Sequence, residues 1–216
     1  MEHKSDLKGI AIFELKSWLG RKFIDSNPKL KSGENYLNLG CGSNYVEGYV
    51  NADFFRFRFW KKDLLKIEWQ LDLRYPLECQ DEVFDGIFTE HTLEHLYPDD
   101  AKKLLKELYR VLKKDSIIRI TVPDIEKYVN FYFKKYDDID IESFDKRYPT
   151  GCSAIRNITQ NYFHFSTWDF EELKRYLEEV GFKDIKKMEF GVTQNEKLNL
   201  DLKDRAWETL YVEARK

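Results

Sequence analysis

Apolar positions recur along this chain in two rhythms, short continuous runs and helical stripes, and their order predicts an α/β fold. Leu7, Ile10, Ala11, Leu15, Trp18 and Leu19 share a broad face of a helix expected over residues 5–24, with Lys4, Lys8, Lys16, Arg21 and Lys22 as its basic complement. Such a helix either covers a sheet or lies on a membrane surface. Asn27-Pro28 breaks it. Tyr36, Leu37 and Leu39 then form a run suited to a buried parallel strand, and Tyr49-Val50 begins a second. Residues Phe54 to Trp60 alternate aromatic and basic side chains, either as a strand or loop packing its rings inward or as a surface that stacks on bases. Ile67, Trp69, Leu71 and Leu73 predict a third strand ended by Pro76, and Val83, Phe84, Ile87 and Phe88 a fourth.

The most regular stripe follows. Ala101, Leu104, Leu105, Leu108, Val111 and Leu112 sit at helical spacing behind Pro98, Asp99 and Asp100, residues that suit a helix N-terminus, while Lys113 and Lys114 suit its C-terminus. Ile117, Ile118, Ile120 and Val122 give a β-branched strand ended by Pro123-Asp124, and Ile125 to Phe133 a further helix. Residues 137–163 show no clear period, the mark of a functional lid more than of a connector. Ser166-x-x-Asp169 resembles a capping box for a helix whose inner face is Phe170, Leu173, Leu177 and Val180 and whose end is Gly181. Residues 183–191 and 208–214 read as two last strands. The expected architecture is a Rossmann-like, mostly parallel central sheet with helices on both faces and an antiparallel C-terminal strand. One domain fills residues 1–216: an N-terminal helix (1–30), a core (36–135), a lid or insertion (137–166) and a C-terminal helix with strands (167–216).

Composition changes this picture little. A content of 42% hydrophobic and 35% charged residues fits a globular chain, and the net charge of −3 gives no footprint for nucleic acid. No run reaches the roughly 18 apolar residues of a membrane span. Three cysteines, Cys41, Cys79 and Cys152, lack CxxC spacing and suggest thiols in a reducing, cytoplasmic compartment.

The chemistry concentrates at strand ends. Gly40-Cys41-Gly42 closes the first strand, and two glycines there allow a sharp turn and a close approach of backbone to ligand. Asp53 closes the second strand, where a carboxylate accepts both hydroxyls of a ribose. Asp72 and Glu90-His91 close the third and fourth. Ligands of parallel sheets bind at these ends. A dinucleotide site would need G-x-G-x-x-G, and Tyr45 stands at the third glycine; Asp53 also follows Gly40 too closely. His91-x-x-Glu94-His95 matches the inverted zinc-peptidase signature H-x-x-E-H, yet Pro98 leaves little helix to hold a metal. No metal ligand is therefore assigned.

LNLGCGSN, the strand end NAD, LDLRYPL, FDGIFTEHTLEHL, LYRVLKK and IRITVPD together resemble a class I S-adenosylmethionine-dependent methyltransferase, over residues 36–125. They are similar, more narrowly, to small bacterial members encoded beside surface-polysaccharide genes, and FHFSTWDFEELKRYLEEVGF resembles the substrate side of that group. The resemblance implies S-adenosylmethionine as cofactor. It assigns Leu39, Gly40, Cys41 and Gly42 to the cofactor loop, Asp53 to the ribose, Asp72 and Leu73 to the neighbourhood of adenine, and Glu90 and His91 to the methyl end. Lys113 to Ser116 replace the K-P-G-G turn of relatives, and Asn38 stands where many carry an acidic residue. The implied reaction is O- or N-methylation of a small or carbohydrate acceptor, with no nucleic acid or membrane partner. His91, His95 and His164 are the candidate general bases, His91 first. A cofactor-binding protein without activity, or a zinc hydrolase built on His91, Glu94 and His95, are the alternatives.

Overall fold

A seven-stranded sheet organises the chain in the computed structural model, which describes residues 7–55, 67–137 and 139–216. Its strands are β1 (Tyr36–Leu39), β2 (Val50–Asp53), β3 (Trp69–Gln70), β4 (Phe84–Glu90), β5 (Leu112–Pro123), β6 (Lys183–Met188) and β7 (Thr209–Arg215), in the order β3-β2-β1-β4-β5-β7-β6. β1 to β5 run parallel, and β7 pairs antiparallel with both β5 and β6. Leu39 is level with Ala52 on one side and Thr89 on the other. That register brings the residues just beyond them, Gly40, Asp53 and Glu90, side by side at one end of the sheet.

The buried runs expected from sequence supply the core. Leu37, Leu39, Val50, Ala52, Trp69, Phe84, Ile87, Ile118, Ile120 and Val122 pack with Leu104, Leu105, Leu108 and Val111 of helix α2 (Pro98–Val111). Each large side chain withdrawn from water this way contributes about 1.5–3 kcal/mol. α2 carries Pro98 at its first turn with Asp99 and Asp100 beside it. α6 (Phe170–Val180) ends at Gly181, whose φ of 116° is the left-handed cap that glycine takes without strain.

Several expectations change. The crossover from β1 to β2 contains no helix, so the two strands are joined as strand–loop–strand. Ile67, Leu71 and Leu73 lie outside the third strand, which shrinks to Trp69–Gln70. Lys113 and Lys114 belong to β5, because the chain passes from α2 straight into that strand; Lys113 is paired with Asp85 at 2.7 Å. Asp169, not Ser166, caps α6 by accepting from the Glu172 amide at 2.8 Å. The lid stretch is helical, with α4 (Ile141–Arg147) and α5 (Gly151–Gln160) packed beside α3 (Ile125–Tyr132) in a second small core of Tyr128, Phe131, Phe144, Ala154 and Ile158.

The N-terminal helix α1 (Leu7–Phe23) forms but turns its expected apolar face outward: Ile10, Leu15 and Trp18 are exposed, while Ser17 and Gly20 are buried. It is held through polar and close contacts instead. The Ser17 hydroxyl donates to Asp72 at 2.6 Å, Glu14 pairs with Arg74 at 2.5 Å, and the Phe55 ring lies against Gly20. Phe54 stacks on Phe13; Arg56 to Trp60, the remainder of the expected alternating segment, lie outside the described residues. No helix among the described residues is long and apolar enough to cross a membrane.

Candidate functional site

The loop after β1 is built around its glycines. Gly40 and Gly42 have φ of 68° and 54°, and a Cβ on Gly40 would fall 2.1 Å from Thr92 Oγ1. Only glycine allows the loop to pass so close to the segment that follows β4. The Gly40 and Cys41 amides donate to the Ala52 carbonyl at 2.8 and 3.1 Å. Asp53 Oδ2 accepts the Gly42 amide at 2.7 Å, and Oδ1 accepts that of Phe54 at 2.6 Å. The loop and the acidic strand end are thus one hydrogen-bonded unit. Among the described residues, the one atom near where a Cβ on Gly42 would point is the Gly40 carbonyl oxygen at 4.0 Å.

Two residues missed as site components hold that loop. Asn38 Nδ2 donates to the Asn44 carbonyl at 2.8 Å and to Asn51 Oδ1 at 2.9 Å, and Asn51 Oδ1 also accepts from the Val46 amide at 2.9 Å. Both asparagines are buried in apolar strands, and their presence there was the available signal. Their amides replace the helix that the short crossover cannot form.

Asp72 and Leu73 follow β3 by two and three positions. The Asp72 carboxylate is buried and faces α1, accepting from Ser17 and from the guanidinium of Arg74, with Nη2 at 2.7 Å. Burial alone would raise its pKa, but the Arg74 and Ser17 hydrogen bonds outweigh it and hold the group below the ordinary 3.8. Leu73 packs half-buried against the main core.

Beyond β4 the chain turns through His91, a non-glycine residue at φ 47°, into a short 3-10 turn, Leu93–His95. This turn is no α-helix, so His91 and His95 do not share a helical face. Glu90 Oε1 accepts the Leu202 amide at 3.1 Å, and burial raises the carboxyl's pKa. His91 Nε2 lies 2.9 Å from Thr209 Oγ1, whose proton goes to the Arg205 carbonyl at 2.7 Å. The Thr209 oxygen must accept, so His91 carries its proton on Nε2 and its lone pair on Nδ1. That Nδ1 lies 3.5 Å from Glu94 Oε1. Burial holds the His91 pKa well below the ordinary 6.5.

Glu94, His95, His164 and His91 line a cavity of about 570 Å³, closed on other sides by Tyr128, Tyr148, Asn157, Tyr162, Arg205, Trp207 and Glu208. Both Glu94 oxygens are buried without a hydrogen-bond partner, and burial pushes its pKa up to about 8. His95 Nδ1 lies 3.3 Å from the Phe163 carbonyl and His164 Nδ1 lies 2.8 Å from the Ile158 carbonyl. Burial lowers both pKa values, that of His164 to about 4. Sequence reasoning named all three histidines but not the link from His164 to Glu94. That link spans the lid and leaves no local pattern.

Of the residues expected at the cofactor, Leu39, Gly40, Cys41, Gly42, Asp53 and Glu90 gather at adjacent strand ends, while the Asp72 side chain turns toward α1. The histidines line the cavity next to Glu90.

Residues 37–120 match the family model described as a methyltransferase domain. A solved S-adenosylmethionine-dependent methyltransferase from Archaeoglobus fulgidus is similar at 20% identity and a TM-score of 0.50, covering 98% of this chain and 100% of its own. Another, from Thermotoga maritima, is similar at 15% identity and a TM-score of 0.52, covering 97% and 93%. No curated protein matches the sequence significantly. Residues 37–120 are thus similar to a methyltransferase domain, and the fold of the chain is that of these two solved S-adenosylmethionine-dependent methyltransferases. The glycine loop hydrogen-bonded to Asp53 is a donor set that would fit the S-adenosylmethionine on which both of those enzymes depend.

Proposed function

We propose that this chain transfers a methyl group from S-adenosylmethionine to an oxygen or nitrogen of a small, sugar-like acceptor. The observation that carries the reading is the cavity wall formed by His91, immediately after Glu90, on the same sheet end as the glycine loop. When bound, the cofactor supplies an electrophilic methyl whose carbon–sulfur bond breaks as the acceptor lone pair forms the new bond, the electron pair passing to sulfur. Gly40, Cys41 and Gly42 bring their backbone close to it, and Asp53 accepts the ribose hydroxyls. Leu73 and the backbone at Asp72 bound the adenine side. Within the cavity, Asn157, Tyr148 and Trp207 offer the polar and aromatic contacts a carbohydrate uses, and they position the nucleophile for in-line attack. His91 takes the acceptor proton at Nδ1, the ring atom its hydrogen bond to Thr209 leaves unprotonated. His95 and His164 stand behind it on the acceptor side. The same reading sets the reaction in the cytoplasm, among the steps of surface-polysaccharide assembly.

Two variants test this together. Asp53→Ala should weaken S-adenosylhomocysteine binding by at least tenfold in calorimetry, because a charge-assisted contact is worth about 1.5–3 kcal/mol. His91→Gln should leave that affinity within about twofold and lower the methyl-transfer rate by about 10²–10⁴-fold. Equal cofactor affinity in Asp53→Ala removes Asp53 from the ribose role, and full turnover in His91→Gln removes the base.

A further inference from the structure

We propose that Glu94, His95 and His164 form a binding site for one divalent transition-metal ion inside the acceptor cavity. One ligand atom from each of these residues lies within 4.8 Å of the others. The donor set, two imidazoles and a carboxylate, suits first-row divalent ions such as Zn²⁺ or Mn²⁺.

The hydrogen bonds prepare both imidazoles for that role. A backbone carbonyl only accepts, so His95 Nδ1 donates to Phe163 and His164 Nδ1 donates to Ile158. Each ring therefore keeps its proton on Nδ1 and presents a lone pair at Nε2. Metal-bound histidines are oriented in this way, with the second ring nitrogen tied to a carbonyl or carboxylate.

Glu94 is the independent observation. Its side chain is 2% exposed, and neither oxygen has a hydrogen-bond partner; His91 Nδ1, 3.5 Å from Oε1, carries no proton to donate. Burying a carboxyl with nothing to bind costs stability, and such a group in a native structure asks for a missing partner. A cation in contact with both Glu94 and the imidazoles supplies one. Metal–ligand bonds of about 2.0–2.2 Å would draw the donor atoms to roughly 3–3.5 Å of one another, a shift that side-chain rotation provides.

His91-x-x-Glu94-His95 suggested a metal in the wrong partners. His91 is occupied by Thr209, and the third ligand is His164, delivered by a turn in which Tyr162 and Phe163 both take left-handed backbone at φ 59° and 61°. Vacant positions on the ion would face the cavity and take oxygen donors, so an acceptor with neighbouring hydroxyls fits it. Bound hydroxyls become more acidic, as metal-bound water does. This role in methyl transfer rests on the function proposed above; the ion site itself does not.

The test uses the full chain, stripped with a chelator and titrated with ZnCl₂ and separately with MnCl₂ in a calorimeter. One equivalent should bind. Affinity should fall by more than about 100-fold in Glu94→Gln and in His164→Gln, beyond the 10–100-fold of an outer partner. Glu94→Gln keeps the shape of the buried side chain, so it should fold, and unchanged S-adenosylhomocysteine binding in each variant verifies that. Absence of stoichiometric binding by either metal, or equal affinity in folded variants, overturns the site. Metal binding without S-adenosylhomocysteine binding would instead sink the methyltransferase reading and leave the ion site standing.

Discussion

At the scale of single residues, Asp72 carries the clearest stability signal. Its carboxylate joins β3 to α1 through Ser17 and binds Arg74, which in turn holds Glu14. The folded pKa lies below the ordinary 3.8, so the folded state binds the proton less readily than the unfolded chain. The resulting stability is present above pH 3.8 and is lost as pH falls through the lower folded value. Asp72→Asn should therefore lower the urea midpoint near pH 7, and the gap to the native chain should close as pH falls below 3.8 through the lower folded value. A gap that stays constant across this range would show that the lost contacts, not the ionisation, set the difference. Gly40 shows the same economy of means, because its missing side chain is what admits Thr92.

At the scale of elements, a buried ion cluster ties the C-terminal strands to the site. Arg119 of β5 is fully buried and binds Asp201 at 2.5 and 2.8 Å and Glu213 of β7 at 2.9 Å, with the Val192 and Glu189 carbonyls at 2.9 and 3.2 Å. It thereby clamps the segment 189–205, which brings the Leu202 amide to Glu90 and Arg205 to the cavity. Arg119→Met leaves two buried carboxylates unpaired and should cost about 3–5 kcal/mol in denaturant unfolding. Adding Asp201→Leu and Glu213→Leu should recover most of that loss, because no uncompensated charge remains; no recovery would mean the clamp acts through shape. This cluster also marks the limit of what the sequence reveals. β1, β2, β4 and β5 were legible because strands buried on both faces must be apolar, and α2 because its stripe meets a single core. Arg119 reads as an ordinary polar residue in IRITV, since its partners lie 82 and 94 positions away. α1 misled for a related reason: its widest apolar stripe is not the face that docks.

At the scale of the whole molecule, two cores of unequal size meet at the cavity. The larger lies on the sheet with α2 and α6; the smaller joins α3, α4 and α5 with Trp207. α4 and α5 were hard to read because each buries so little, Phe144 in one and Ala154 with Ile158 in the other. Phe144 is the centre of the small core, with ring centroids 4.9 Å from Trp207 and 5.0 Å from both Tyr128 and Phe131. Phe144→Ala removes about 3–5 kcal/mol of packing. If the small core is its own cooperative unit, that loss stays local. Amide exchange should then quicken across residues 141–160 while strands β1 and β5 keep their protection. S-adenosylhomocysteine affinity should hold, because the glycine loop and Asp53 rest on the larger core. The KM for acceptor should rise more than kcat falls, since α5 carries Asn157 and Ile158 into the cavity wall. Uniformly faster exchange over the whole sheet would show instead that lid and sheet unfold together, and acceptor entry would then need no separate motion of the lid.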